Sequence, residues 1–363
     1  MSPSRTRNRA LAPALAVCAA LLLAAVAPPA SALSVRLEST VSGLRIGLVG
    51  QAPARCLPVA DRVSVDGDDV GIVLHAPTTG CAPERGTVAY ALHVDPATFG
   101  TPLAPGRTYR VSVFSDAADR PGLVAFRLLD TNASSARAPQ PENGFWWSQA
   151  SSETGPASRS TGISLEAQGD QLAVSLFGFG DEGSPVWYFG SARRKGRTAV
   201  VPLLELRNGD PLFSPTGSRP NAIEGLRLEL DFLSPSRARA WLVRSDDRRD
   251  IGVRALTLSR SSFSNADGAD WSGRWILVGD DTATLRPFEF EPPTRRDAGT
   301  LHFAATDGAS LDCRYGQLAS TPDFCTLSLG ASTLADFDQV GLDRLDGRDA
   351  SGAHVQLLRV ARP

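Results

Sequence analysis

After its first 32 residues the sequence has no apolar run of membrane-spanning length, no long Gly/Pro-free window with apolar residues at i, i+3, i+4 and i+7, and no lysine except Lys195. The first absence predicts that no transmembrane segment follows residue 32, and the second excludes helical bundles and helix-covered sheets. Histidine is scarce: His75, His93, His302 and His354 lie far apart, without the H-x-H or H-E-x-x-H spacing of a zinc site. Cysteine pairs with C-x-x-C spacing are also missing, so no metal ligand set is assigned. The G-x-S-x-G pattern of a nucleophile elbow survives only in its second half, at Thr326 to Gly330, inside a stretch that alternates like a strand. A net charge of −2 argues against nucleic acid as a partner. Tryptophan is absent before Trp146, and all six lie from that position onward.

What the chain does have begins with Arg5, Arg7 and Arg9, then an apolar stretch from Ala10 to Val26 and a small-x-small site at Ala30-Ser31-Ala32. That order predicts a signal peptide over residues 1–32 and a periplasmic or extracellular protein. Cys18 follows the bulky Val17 inside the apolar stretch, so it reads as part of an ordinary h-region rather than a lipid anchor. The last residues, Arg359 to Pro363, lack the closing aromatic of an outer-membrane barrel. Cys56, Cys81, Cys313 and Cys325 remain after the leader, and an even number in an exported chain implies disulfides. Of the three pairings, Cys56–Cys81 with Cys313–Cys325 is the one that stays within domains.

Short alternating runs between Gly, Pro, Asn and Asp turns give an all-β fold. Candidate strands from Ser34 to Leu129 match an immunoglobulin-like sandwich over residues 33–130, and Asp66-Gly67 predicts a tight hairpin. "TNASSARAPQPEN", from Thr131, has small polar residues and two prolines without apolar periodicity, so residues 131–142 are expected to be a linker. Residues 143–363 form a larger second domain, an antiparallel barrel or sandwich. Within it "GISLEAQGDQLAVSLF" at Gly162 and "GTLHFAATDGASLDCRY" at Gly299 echo one another, each after a G-x-W at Gly144 and Gly273. The echo predicts two related halves, 143–260 and 270–363.

Two stretches resemble known modules. Leu103, Pro105, Gly106, Tyr109 and Val111 look like the L-x-P-G-x-x-Y stretch of fibronectin type III domains, which implies a tyrosine that fills the core while its hydroxyl caps a corner. Gly144, Trp146, Trp147, Gly162, Glu166, Gln168, Gly169, Asp170, Leu172, Asp181, Gly183, Pro185, Trp187 and Tyr188 resemble β modules of exported bacterial proteins of unassigned function. The match departs from that pattern at Phe179-Gly180. It implies a cell-envelope or secreted β module and no reaction.

Successive strand side chains point to opposite faces, so Trp146 and Trp147 cannot both enter one core, nor can Trp187 and Tyr188. The residues left outside are expected either to pack against another element or to form a surface on which sugar rings stack. Glu166, Gln168 and Asp170 would flank that surface with hydrogen-bonding groups. Trp271 and Trp275, in "WSGRW", are expected in a core. Arg193, Arg194, Lys195 and Arg197 form a basic turn, read as a solvated hairpin tip. Asp336, Asp338, Asp343, Asp346 and Asp349 surround Gly347 without calcium-loop spacing, and Asp346-Gly347 reads as a hairpin turn. Together these observations favour an exported, non-enzymatic protein that binds polysaccharide or serves as a structural component, with no catalytic residue and no cofactor assigned. The alternative is a secreted hydrolase whose carboxylate pair is not visible in sequence.

Overall fold

The computed structural model describes residues 33–361 apart from 41–42, 54–55, 76–86, 117–121, 132–137, 150–160, 181, 211–212, 215, 218, 220, 246–250, 262–270, 280–284, 298 and 316–321. The expected leader and Asp181 therefore lie outside the described residues. The fold is all-β. Among the described residues no helix is long and apolar enough to cross a membrane.

The first seven strands are β1 (Ser34–Thr40), β2 (Gly43–Pro53), β3 (Val59–Asp66), β4 (Asp69–His75), β5 (Thr87–Val94), β6 (Thr108–Ser115) and β7 (Gly122–Asp130). They form a three-stranded sheet, β1-β2-β5, and a four-stranded sheet, β3-β4-β6-β7. Alternate residues such as Ile46, Leu48, Val70, Ile72, Val111 and Val113 share one core, as period-two side chains on facing sheets must. Asp66 pairs with Asp69 across the turn, and Gly67 there takes φ 58°, where a Cβ would be strained. Tyr109 is buried, and its hydroxyl accepts the Ala104 N–H at 2.8 Å. One pairing departs from the expected antiparallel sandwich: β4 and β6 are parallel, because the chain between them passes through β5 in the opposite sheet before returning.

Strands β8 (Gly144–Gln149), β9 (Gly162–Gln168), β10 (Gln171–Phe179), β11 (Pro185–Arg193), β12 (Thr198–Arg207), β13 (Asn221–Ser234), β14 (Arg237–Ser245) and β15 (Ile251–Arg260) follow one another around a closed barrel, β15 pairing back onto β8. A barrel of eight strands has an interior that side chains can fill. Here Trp146, Ile163, Val174, Leu228 and Phe232 do so. At the seam Arg260 pairs with Trp146, the Trp146 indole N–H donates to the Glu142 carbonyl at 3.1 Å, and Arg260 Nε donates to the Asn143 carbonyl at 2.7 Å.

The remaining strands are β16 (Gly273–Gly279), β17 (Leu285–Phe290), β18 (Thr294–Asp297), β19 (Thr300–Ala304), β20 (Ala309–Arg314), β21 (Phe324–Leu329), β22 (Ser332–Val340), β23 (Arg344–Asp349) and β24 (His354–Ala361). They make a nine-stranded sheet in the order β17-β16-β24-β23-β22-β21-β20-β19-β18. The sheet curls far enough for Glu291 N–H to reach the Ala304 carbonyl at 2.8 Å, around a core of Trp271, Trp275, Phe303 and Phe337. Its first strand repeats the barrel's seam. Trp275 donates to the carbonyl four residues back, Trp271, at 2.7 Å, and Arg359 of the last strand pairs with Trp275 and donates to Ser272 at 2.9 Å. Gly144 and Gly273, two residues before their tryptophans, both have positive φ, 121° and 103°.

Three expectations are corrected. Asp346-Gly347 is not a turn but lies inside β23, where a Cβ on residue 347 would overlap the Asp336 carbonyl; glycine is there for close strand approach. Arg194 is not a solvated tip: it is buried, donating to the Pro139 carbonyl at 2.7 Å and to Gln140 Oε1 at 2.6 Å. Consequently the last part of the expected linker, around Pro139 and Pro141, is buried against the barrel, while residues 132–137 lie outside the described residues.

The three units are joined by buried polar groups. Phe126 and Leu128 of β7 cover Trp241 and Val243 on the barrel's outer wall. Beneath them the fully buried Glu229 accepts the Leu128 N–H at 2.7 Å and Arg227 Nε at 2.8 Å. At one barrel end Glu142 accepts the N–H groups of Leu342 and Asp343 at 3.0 and 2.8 Å, between β22 and β23. Cys313 and Cys325 face each other on β20 and β21 and form a disulfide. Cys56 is disulfide-bonded as well, and Cys81, its expected partner, lies outside the described residues.

Two outcomes follow from these joints. Replacing Cys313 and Cys325 together by Ala should lower stability by about 3 kcal/mol, the chain-entropy value for so short a loop, as read from urea unfolding under non-reducing conditions. Burial, only partly offset by the two N–H donors, pushes the Glu142 carboxyl above its ordinary value of 4.5. Between its unfolded and folded values the folded chain holds a proton that the unfolded chain has released, so the contribution of Glu142 to stability is fully present below 4.5 and is lost as pH rises through the folded value. Glu142→Gln should flatten that slope in a pH series of unfolding curves.

Candidate functional site

The barrel's outer surface carries a continuous aromatic wall built by register alone. Across β8 to β11, Trp147 pairs with Gly162, Gly162 with Phe177, and Phe177 with Trp187. The neighbouring outward row runs from Phe145 through Ser164 and Ser175 to Phe189. Paired residues share a face of the sheet, so these side chains stand on one surface. Trp147, Phe177, Trp187 and Phe189 keep 40–47% of their surface exposed, and Phe179, at the strand end, keeps 59%. The Phe145 ring lies 5.6 Å from Trp147 and 6.3 Å from Phe177, centroid to centroid. Gly162 makes this possible, because a Cβ there would overlap both Phe145 and Trp147. The two rings lie across the glycine, tilted 34° to each other.

Placed on this frame, the residues singled out in sequence separate. Trp147 and Trp187 belong to the wall, while Trp146 is 1% exposed in the barrel core and is corrected from a candidate ligand contact to a core residue. Tyr188 points the other way from Trp187, into the barrel. Glu166 and Gln168 follow Gly162 and Ser164 on the outward face of β9, at the edge of the aromatic rows, and Asp170 sits exposed in the β9–β10 turn. Phe145, Phe177, Phe179 and Phe189 were missed by sequence reasoning. Their signal was present as period-two pairs, Phe145 with Trp147, Phe177 with Phe179 and Trp187 with Phe189, but recognising one wall required the register between strands.

The interior of the barrel opens at the adjoining end into a cleft of about 860 Å³. Leu176, Leu226 and Leu242 line it with Tyr188, Glu205, Arg207, Arg244 and Arg254. Glu205 faces Tyr188 across β11 and β12 and is ion-paired with Arg207. Burial, and then the neighbouring Glu205, push the Tyr188 phenol above its ordinary value, so it stays a neutral hydrogen-bond donor at physiological pH.

The histidines are dispersed over the fold. Each histidine is engaged by a carboxylate: His75 by Asp116 at 2.7 Å, His93 by Glu38 at 2.5 Å, His302 by Asp312 at 2.7 Å and His354 by Asp346 at 3.7 Å. None of these histidines lines the cleft. Among the described residues no group of His, Cys, Asp and Glu is arranged to hold a metal ion. No protein-family model matches the chain, and no curated protein matches it either.

The two neighbouring tryptophans should respond differently to truncation. Trp146→Ala should cost about 3–5 kcal/mol through the cavity it leaves, whereas Trp147→Ala should change stability by less than about 1 kcal/mol, both read from chemical denaturation.

Proposed function

We propose that the protein is an exported, non-enzymatic binding protein that holds a polysaccharide against the outer wall of its barrel. The observation that carries this reading is the exposed row of Trp147, Phe177 and Trp187 over the Gly162 gap. Flat rings on a sheet present apolar faces on which sugar rings stack, and Ser164, Ser175, Glu166 and Gln168 offer hydrogen bonds to hydroxyl groups beside them.

The other outward tryptophan provides a contrast. Trp241 is closed over by β7, and that cover is secured by the buried Glu229 carboxylate and the Leu128 N–H beside it. The aromatic wall has no buried carboxylate or guanidinium of this kind among the groups named in its two rows, only rings, a glycine and hydroxyls. This composition suits a neutral, hydroxyl-rich partner better than a docked protein domain.

Sedimentation with insoluble cellulose, chitin and peptidoglycan tests the reading. Residues 33–363 should be retained on at least one of them. Ala at Trp147, Phe177 and Trp187 together should lose about 1 kcal/mol of binding per ring while still unfolding in one cooperative transition. Absence of retention on every polysaccharide, or retention unchanged in the triple variant, would exclude the wall as a sugar platform.

A second reading, a hydrolase, is favoured by one observation, that Glu182 and Glu205 both line the open cleft. Release of reducing ends from the retained polysaccharide, abolished by Glu205→Gln, would establish it.

A further inference from the structure

The barrel mouth is a different chemical environment from the wall. Inward positions descend from charge to hydrocarbon. Arg207, Arg244 and Arg254 stand near the opening, with Leu176, Leu226 and Leu242 below them. Deeper still, Val174, Val201, Leu228, Ala240 and Leu256 close the core. Both parities agree with the register: Leu242 and Arg244 continue the inward set of Ala238 and Ala240 on β14, and Arg254 continues that of Leu258 and Leu256 on β15. The gradient is therefore built into the strands.

We propose that this mouth is a binding site for a small amphiphile, its hydrocarbon portion against Leu176, Leu226 and Leu242 and its anionic head, a carboxylate or a phosphate, at Arg207, Arg244 and Arg254. A cleft of about 860 Å³ with an apolar floor and a few converging polar groups is of the size and character of small-molecule sites, which favour barrel mouths. Among the described lining residues three guanidinium groups face two carboxylates, Glu182 and Glu205, so the opening carries net positive charge. Guanidinium forks match carboxylate and phosphate oxygens in pairs, and they gain strength where water is partly excluded. Tyr188, a neutral donor hydrogen-bonded to Glu205, supplies a further polar contact at the level where head meets chain. The rim is also kept open on two sides by glycine. A Cβ on Gly178 would find its nearest neighbour, Thr161 Oγ1, 4.0 Å away, and one on Gly252 would meet Arg244 Cβ at 3.9 Å. The mouth is thus roomy where side chains would otherwise cap it.

This site is independent of the polysaccharide wall, since it uses the inward faces of the same strands. Isothermal titration of residues 33–363 with dodecanoate, dodecyl phosphate and dodecyltrimethylammonium, all below their micellar concentrations, tests it. One equivalent of at least one anionic amphiphile should bind, the stronger of the two identifying the head group, and the cation of equal chain length should bind at least about tenfold more weakly. Gly178→Leu, which fills open space, should weaken the anion at least about tenfold, and so should the rim variant Arg254→Gln, which does not depend on tolerance of a new side chain. The Trp147→Ala/Trp187→Ala double variant should bind the amphiphile as the wild type does, even where it no longer holds polysaccharide. Failure of both anions to bind, equal binding of anion and cation, or loss of binding in the double tryptophan variant with none in Gly178→Leu and Arg254→Gln would overturn the proposal.

Discussion

Closure of β15 onto β8 is the constraint from which the rest of this molecule follows. A sheet that pairs its last strand with its first has no free edge, and every residue in it must be either inside or outside. The seam is set by Trp146: its ring fills the interior, its N–H is satisfied by Glu142, and Arg260 from the opposite strand ties down the neighbouring carbonyl. Once Trp146 is inside, pleat alternation sends Trp147 and Phe145 outside. Register then aligns them with Phe177 and Trp187, and the same alternation sends Tyr188, Arg244 and Arg254 inward.

The outer surface meets three fates. Part of β13 to β15 is covered by β7 through an interface that buries the Glu229 carboxylate, while the neighbouring buried Asp231 lies between Arg197 and Arg239 of the barrel itself. Burying such groups is costly unless each is paired, and removing a single partner is more harmful than replacing the whole set by apolar residues. The value of Glu229 lies in specifying one docking geometry between sandwich and barrel. One end meets the nine-stranded sheet through Glu142, whose carboxylate occupies the space that Gly341 leaves open. The wall of β8 to β11 receives no such cover from the described residues and keeps its rings in solvent.

Glycine positions separate the two candidate surfaces. Gly162 lacks a side chain because two rings lie across it, which closes the wall over the glycine. Gly178 lacks one where nothing presses against it, which leaves the mouth open. Wall and mouth share strands β10 and β11, so a ligand on one lies a single sheet's thickness from a ligand in the other. Phe179 lies at their common border, ending the aromatic face and lining the cleft.

Local pattern determined the β class, the Asp66-Gly67 hairpin, the burial of Trp271 and Trp275, and the opposite orientation of Trp146 and Trp147. Each depends on neighbours in the chain or on a period of two. Parity alone has no sign, however: which tryptophan enters the core is decided by closure against Arg260, more than a hundred positions away. Strands β22 and β23 were illegible for a related reason, since Asp346-Gly347 has turn chemistry and only the approach of the Asp336 backbone makes glycine a strand residue there. The aromatic wall, the charged mouth and the burial of Glu229 likewise arise between residues on different strands. Tertiary structure decided them, because cross-strand register and the covering of one wall by β7 are relations that no single segment carries.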